Sequence, residues 1–179
     1  MSSASNSQEP PFKIAVIALG SNVGDSQKNI FQAMGTLLKI SSGFICRSSL
    51  WRSTPVDCPP GSPDFINAVV GISVKADETP ETMLARLQKI EQEFGRKPKT
   101  VHNEPRPLDL DLITFGGEIR NTAKLTLPHP RAHQRRFVLE PMAEIFPNLV
   151  LPGQTKKISE LLAELNSPEK LEKIDLRES

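Results

Sequence analysis

Two aspartates separated by one residue, Asp109 and Asp111, are the side chains best placed by type and spacing to do chemistry. They alternate with leucines over residues 108–113, a pattern that predicts a strand with the leucines facing a core. The two carboxylates then share the opposite face, with α-carbons roughly 6.5–7 Å apart, where their charges repel each other. A divalent cation relieves the repulsion, and carboxylate oxygens beside a phosphate substrate suit Mg²⁺. Two ions about 3.5–4 Å apart could be bridged by the pair, although a solvated strand face explains the spacing equally well.

Cationic side chains stand on both sides of the aspartates along the chain. Arg96 and Arg106 frame the preceding loop, and Arg131 and Arg135 follow His129. A polyphosphate needs several cations, and the planar guanidinium matches phosphate oxygens. For Arg106, held between two prolines, this pattern favours a functional role, whereas the lysines of the same loop favour a solvated surface. For His129, a loop cap and a phosphate ligand remain equally open.

Aromatic residues are scarce, with eight phenylalanines, one tryptophan and no tyrosine. Phe65 opens a predicted strand beside a proline-rich loop, and Phe137 follows the arginine cluster. Each is a core residue by default, but the two on either side of a cleft could clamp a flat heterocycle. Asn67 shares the strand face of Phe65, and its amide could read a ring edge that carries donors and acceptors.

The elements that must position these groups alternate in type along the chain. Apolar runs predict strands over 13–19, 44–51, 65–74 and 108–115, and apolar stripes capped by Asp25 or Ser26 and by Thr79 predict two helices. A hairpin over 118–127, a helical stretch over 131–145 kinked or broken near Pro141, and a helix over 157–165 follow. The order predicts an α+β protein with a ferredoxin-like βαββαβ core, a mainly antiparallel sheet with helices on one face, plus a C-terminal hairpin and helices.

Composition limits the protein's class and partners. The 179 residues, 37% of them apolar and 24% charged, predict one domain over 12–166, between a disordered tail over 1–11 and a charged tail over 167–179. The net charge of +1 predicts no nucleic-acid partner. No apolar run is long enough for a membrane span, and two cysteines make no disulfide framework. We therefore expect a cytoplasmic protein without a membrane partner, most simply a monomer, with an oligomer left open.

Neither a P-loop nor a dinucleotide-binding glycine motif is present in the sequence. Six other motifs resemble in order and spacing those of the 6-hydroxymethyl-7,8-dihydropterin pyrophosphokinase family, and the resemblance runs from about residue 14 to residue 165. They are Ala18-Leu19-Gly20-Ser21-Asn22, Pro63-Asp64-Phe65-Ile66-Asn67-Ala68, Ile90-Glu91-x-x-Phe94-Gly95-Arg96, Pro105-Arg106-x-x-Asp109-Leu110-Asp111-Leu112-Ile113, Leu127-Pro128-His129-Pro130-Arg131 and Arg135-x-Phe137-Val138-Leu139-x-x-Met142.

The resemblance implies a transfer of pyrophosphoryl from Mg-ATP to the hydroxymethyl group of a reduced pterin, with release of AMP, in folate biosynthesis. It implies that Asp109 and Asp111 hold two Mg²⁺ and that Arg96 and Arg106 stabilise charge during transfer. The implied ATP-binding residues are Gln88, Arg106, Leu112, Lys124, Thr126, His129 and Arg135. The implied pterin-binding residues are Ser53, Thr54, Val56, Phe65, Asn67 and Phe137.

The sequence departs from the family pattern in the loop before the aspartates. Asn103 and Glu104 stand where members often carry Trp-Gly, and Pro98 stands where an arginine often lies. Two alternative functions stay open from the residues themselves. One is another Mg-dependent nucleotide transferase that cleaves at the α- or γ-phosphorus, and the other is a non-catalytic ferredoxin-like binding module, for example for RNA.

Overall fold

The structure is a computed structural model that describes residues 13–43, 45–54, 60–95 and 107–175. In these residues one antiparallel sheet contains six strands. They are β1 (Lys13–Ser21), β2 (Ile45–Arg47), β3 (Trp51–Ser53), β4 (Phe65–Val74), β5 (Asp109–Phe115) and β8 (Leu171–Lys173). The strand order is β5-β1-β4-β3-β8, with β2 also paired to β4. This order confirms the predicted ferredoxin-like core, in which β1 and β4 occupy the centre.

The first face of the sheet is covered by helices α1 (Ser26–Ile40) and α2 (Pro80–Glu93), which pack against alternate residues of the strands. Both predicted N-caps are confirmed, because the side chains of Asp25 and Thr79 accept hydrogen bonds from first-turn backbone N–H groups. Leu38, an apolar residue of α1, is 46% exposed. It lies about 80° around the helix from Ile30, at the edge of the buried face.

The two helices of the ferredoxin-like core lie on one face, as expected, and the second face is covered by the helices predicted after the core. A 3₁₀ turn (Ala132–Gln134), α3 (Arg136–Ile145) and α4 (Ile158–Glu164) pack there against a second cluster that includes residues of β1, β4 and β5. Of the predicted kink or break near Pro141, the break is wrong, because α3 runs through Pro141 and the 3₁₀ turn and α3 instead meet at Arg135. Pro141 forfeits one interior hydrogen bond, which the burial of the apolar face of α3 outweighs.

The predicted strand over 44–51 is interrupted by a bulge. Arg47 pairs with Val70 and Trp51 with Asn67, so four steps along one strand match three along β4. Ser48 fills the irregularity, because its hydroxyl accepts a hydrogen bond from the Val69 N–H at 2.9 Å. The extra residue turns the side chains of β3 over, which brings alternate residues of β3 to the second face.

The remaining strands lie at the margins of the fold. The predicted hairpin is confirmed as β6 (Arg120–Asn121) paired with β7 (Thr126–Leu127). Within the segment 167–179, expected as a charged tail, β8 pairs with β3 and forms one edge of the sheet. Its three residues, two of them charged, give no strand signal in the sequence. In the described part of the chain no helix is both long and apolar enough to cross a bilayer.

Candidate functional site

A row of residues crosses three strands on the second face of the sheet. Gly20 in β1 pairs with Asp109 on one side and with Asn67 on the other. In the adjacent row Ala18 pairs with Asp111. Two interstrand spacings put the α-carbons of Asp109 and Asn67 about 10 Å apart. Gly20 thus forms a low floor between an acidic end and an amide end, whereas Ala18 is buried in the second-face cluster.

Gly20 keeps this floor open. A Cβ built on it would lie 3.6 Å from Asn67 Oδ1 and 3.7 Å from Phe65 Cδ1, which are ordinary contact distances. The side chains of Phe65 and Asn67 therefore border the floor directly.

The aspartates lie as the alternation predicted. The neighbouring leucines are buried in the first-face cluster, so the half-buried side chains of Asp109 and Asp111 project from the second face. No group of three or more His, Cys, Asp or Glu within the described ranges is arranged to hold a metal ion. The pair offers carboxylate oxygens alone, a donor set that fits Mg²⁺ when substrate phosphates and water complete its coordination.

Glu91 is a site residue that the sequence reasoning did not assign. It is only 6% exposed, and its Oε2 accepts a hydrogen bond at 2.7 Å from the backbone N–H of Leu110, the residue between the aspartates. A buried carboxylate on α2 thus fixes the outer edge of β5 where the aspartates project. The sequence did contain a signal for a buried role of Glu91, because this acidic residue follows Ile90 on the apolar face of the helix.

Asn29 in α1 ties together the two segments that bring Gly20 and Asp109 to the same place. Its Nδ2 donates at 3.2 Å to the carbonyl oxygen of Val23, in the turn after β1, and at 3.2 Å to that of Pro107, just before β5. The bond to Pro107 joins residues 78 positions apart in the chain, so no local pattern in the sequence could have indicated it.

His129 lies beside the acidic end as a neutral ring. Its backbone N–H donates to the Ile113 carbonyl at 2.8 Å, and its Nδ1 accepts from the Arg131 N–H at 3.1 Å. Burial, followed by the charges of Arg135 and Arg131, lowers the pKa of His129 to about 4, against an opposing pull from Asp109. With Nδ1 used as an acceptor, the proton sits on Nε2, which can donate to an anion.

The amide end is organised by Asn67. Its Nδ2 donates to Ser53 Oγ at 2.7 Å and to the Trp51 carbonyl at 3.3 Å. These bonds fix the plane of the amide, and Oδ1 is the Asn67 atom nearest to the Gly20 floor. The structure therefore brings Ser53, Asn67 and Phe65 together, with Thr54 next along the chain.

Phe137 stands at the beginning of α3 on the same side of the sheet. It packs against the second-face cluster, and the guanidinium of Arg135 lies 5.5 Å from its ring centroid. Phe65 and Phe137 thus belong to one face of the molecule, while their clamping of a ring stays a prediction.

The remaining predicted site residues lie on several different elements or outside the described residues. Lys124 and Thr126 lie on the β6–β7 hairpin, and Gln88 is exposed on α2. The side chain of Leu112 is buried in the first-face cluster, so only its backbone can serve a ligand on the second face. Arg96, Arg106 and Val56 lie outside the described residues.

Comparison with known proteins points to one family. Residues 16–147 match the family model of the 7,8-dihydro-6-hydroxymethylpterin pyrophosphokinases. The 2-amino-4-hydroxy-6-hydroxymethyldihydropteridine pyrophosphokinase of Synechocystis sp. is 38% identical over 85% of this chain and 76% of its own length. The Haemophilus influenzae enzyme of the same name is 36% identical over 84% and 89%.

Solved structures show the same fold. Wild-type HPPK-DHPS from Plasmodium falciparum, with pterin and p-hydroxybenzoate, superposes with a TM-score of 0.66 at 15% identity. That match covers 88% of this chain and 44% of the larger protein, so the chain spans less than half of it.

Proposed function

Because the chain belongs to the 6-hydroxymethyl-7,8-dihydropterin pyrophosphokinase family, we propose that the second face of the sheet is where it performs this transfer. The enzyme is an ATP- and magnesium-dependent pyrophosphokinase of folate biosynthesis. The observation that carries the assignment of the site is the row of Asp109, Gly20 and Asn67 across three strands. Its acidic end suits a metal-bound triphosphate, and its amide end suits a flat heterocycle, with an open floor between them.

At the acidic end, Asp109 and Asp111 would hold two Mg²⁺. Bound there, the ions neutralise phosphate charge and orient the triphosphate for displacement. The geometry that supports this role is the projection of both carboxylates from one strand face, with Glu91 fixing the backbone between them.

The neutral ring of His129 and several arginines would bind the phosphate oxygens. His129 donates from Nε2, and Arg135 supplies a guanidinium beside it. Arg96 and Arg106, which precede β5 in the chain, would stabilise the charge that develops during transfer. The residues that would surround the nucleotide are Gln88, Lys124, Thr126 and the backbone of Leu112.

At the amide end, Phe65 and Phe137 stack on the two sides of the pterin, and Asn67 hydrogen-bonds its amide edge. Ser53, Thr54 and Val56 border it through their backbone. The hydroxymethyl oxygen attacks the β-phosphorus, the bond from that phosphorus to the oxygen of the α-phosphate breaks, and AMP leaves while the hydroxyl proton is released. Catalysis then consists of alignment and charge neutralisation.

Product analysis tests the proposal. The protein is mixed with ATP, Mg²⁺ and reduced 6-hydroxymethylpterin, and AMP is expected only when the pterin is present. Release of ADP would indicate transfer of the γ-phosphate, and release of pyrophosphate would indicate attack at the α-phosphorus. Either product in place of AMP would contradict the assignment.

Replacement of the aspartates tests the metal site. Asp109→Asn and Asp111→Asn should each lower AMP formation by about 10³-fold or more while the circular dichroism spectrum stays unchanged, because the phosphate charge loses its counter-ion. Asp77→Asn, in the exposed turn after β4, is the matched control and should keep wild-type activity. An active Asp109→Asn/Asp111→Asn double variant would exclude this site.

We further propose that the enzyme acts in the cytoplasm as a monomer. The support for the cytoplasm is compositional, since two cysteines make no disulfide framework, and the monomer is the simplest assembly that the proposed site requires. Light scattering at working concentration measures the mass, for which a single chain gives 19.8 kDa.

A further inference from the structure

Glu144 in α3 is bonded to the bulged segment that leads into β3. Its Oε1 accepts from the Ser49 N–H at 2.9 Å and from Trp51 Nε1 at 3.1 Å, and its Oε2 accepts from the Ser49 hydroxyl at 2.5 Å. Burial opposes the charge of Glu144, but the bonds from Ser49 and Trp51 and the charge of Lys173 hold its pKa below the ordinary value. An ionised carboxylate with three donors therefore anchors this segment to α3.

The C-terminal strand holds β3 from its other edge. Lys173 pairs with Trp51 and Leu171 with Ser53, and the Ile174 N–H donates to the Leu50 carbonyl at 2.9 Å. The ammonium of Lys173 lies 3.7 Å from Glu144 Oε2 and 5.4 Å from the Trp51 ring centroid. Glu144 of α3 and Lys173 of β8 thus contact each other and the indole of Trp51.

Because β3 is short, its position depends on the contacts that its neighbours make with it. It has three residues, pairs with β4 at three positions, and is separated from β2 by the bulge. Ser53, which ends it, accepts a hydrogen bond from Asn67 Nδ2 at 2.7 Å, and Thr54 follows it. A rotation of β3 would therefore move Ser53 and Thr54 together.

We propose that Glu144 and Lys173 are positioning residues for the pterin, which act by clamping β3 so that Ser53 and Asn67 present a fixed edge to the ring. The proposal rests on the proposed function, because the pterin role of Ser53 and Asn67 belongs to it. The clamp joins β3 to the C-terminal end of α3. The phosphate-binding groups lie on β5, which β1 and β4 separate from β3, and in residues 129–135, which precede α3 and end roughly 13 Å along the helix axis from Glu144. Loosening the clamp therefore weakens pterin use and spares ATP use.

Two variants and two matched controls test the clamp. Glu144→Gln and Lys173→Met each remove one charge of the clamp. Glu164→Gln and Lys156→Met remove the same charges from an exposed ion pair at α4, distant from β3. KM for the reduced pterin, KM for ATP and kcat are measured for all four. Both clamp variants should raise the pterin KM roughly tenfold, with the ATP KM within about twofold of wild type. Because both act on one contact, the double variant should be less than additive.

Trp51 gives an independent readout, because it is the single tryptophan of a chain without tyrosine. Its emission spectrum should change in Glu144→Gln and Lys173→Met without any ligand and stay as in wild type in the two controls. Lys173 is exposed, so its variant keeps the test decisive if Glu144→Gln fails to fold.

The outcomes separate the two proposals. A wild type that forms no AMP overturns the proposed function and the positioning role with it. Wild-type AMP formation with an unchanged pterin KM in both variants overturns the positioning role alone. An equal rise of both KM values, or a loss of thermal stability with unchanged kinetics, would show that the clamp is merely structural.

Discussion

His129 shows how a residue's surroundings decide its chemistry. The sequence places it in a proline-flanked loop and allows either a cap or a ligand. The structure shows a half-buried ring with Nδ1 occupied by the Arg131 N–H and with two arginines nearby. Both influences oppose protonation, so the ring serves as a neutral donor at physiological pH.

This state predicts a pH dependence of stability. The pKa of His129 is about 4 in the folded protein against 6.5 in the unfolded chain. Between these values the unfolded chain binds more protons, so stability falls as pH falls from 6.5 to 4. Allowing for the solvent exposure of the ring, this contribution amounts to about 1–2 kcal/mol.

The variant His129→Asn isolates that contribution, because an amide oxygen can accept the Arg131 N–H without titrating. Urea unfolding of both proteins at pH 7 and pH 4.5 is the measurement. The variant should lose less stability than wild type by about 1 kcal/mol. Parallel losses in the two proteins would contradict the depressed pKa.

A second prediction concerns the single residue Gly20. Gly20→Ala adds a methyl group at ordinary contact distances from Asn67 and Phe65, so the folded protein should be about as stable as wild type. The methyl group rises from the floor between the two ends, where it should lower kcat/KM for the pterin about tenfold or more. Thermal melting and AMP kinetics measure the two effects, and full activity would show that the ligands do not cross Gly20.

In strand β4, Gly71 is packed too closely to accept a side chain. A Cβ on Gly71 would lie 2.5 Å from Phe146 Cζ, so the ring at the end of α3 rests on bare backbone. Gly71→Ala should therefore destabilise the protein by about 1–3 kcal/mol, because neither the central strand nor the ring can move away easily.

Chemical denaturation measures this cost against Gly117→Ala, whose added Cβ would meet no atom within 4 Å. The control should change stability by less than about 0.5 kcal/mol. Adding Phe146→Leu to Gly71→Ala should recover part of the loss if the clash is its cause. Equal stability of the two alanine variants would show that the second face is loosely packed.

The sequence predicts the elements wherever local signals dominate. β4 matches residue for residue, and the caps of α1 and α2 are those expected, because alternation and capping are short-range effects. The bulge at Ser48 and strand β8 were missed, because both depend on pairing with distant residues. The continuation of α3 through Pro141 likewise reflects tertiary packing that overrides propensity.

For the molecule as a whole, strand register assembles the site. Alternation alone predicts that Asp109 and Asp111 share a face, and that Phe65 shares one with Asn67. It does not predict that these faces are the same, since that follows from the pairing of β1 with both β4 and β5. The sequence likewise could not predict the contacts of Glu91, Asn29 and Glu144, because each joins residues that are distant in the chain.

The backbone at Gly20 has a final consequence for which molecules the proposed site would accept. Strands joined by backbone hydrogen bonds keep a spacing of about 4.8 Å, so no substrate can change the distance between Asp109 and Asn67. In the proposed site, an acceptor whose reactive oxygen lies at a different distance from its ring edge would not reach the triphosphate. Selection between acceptors by length would then depend on the backbone of the sheet.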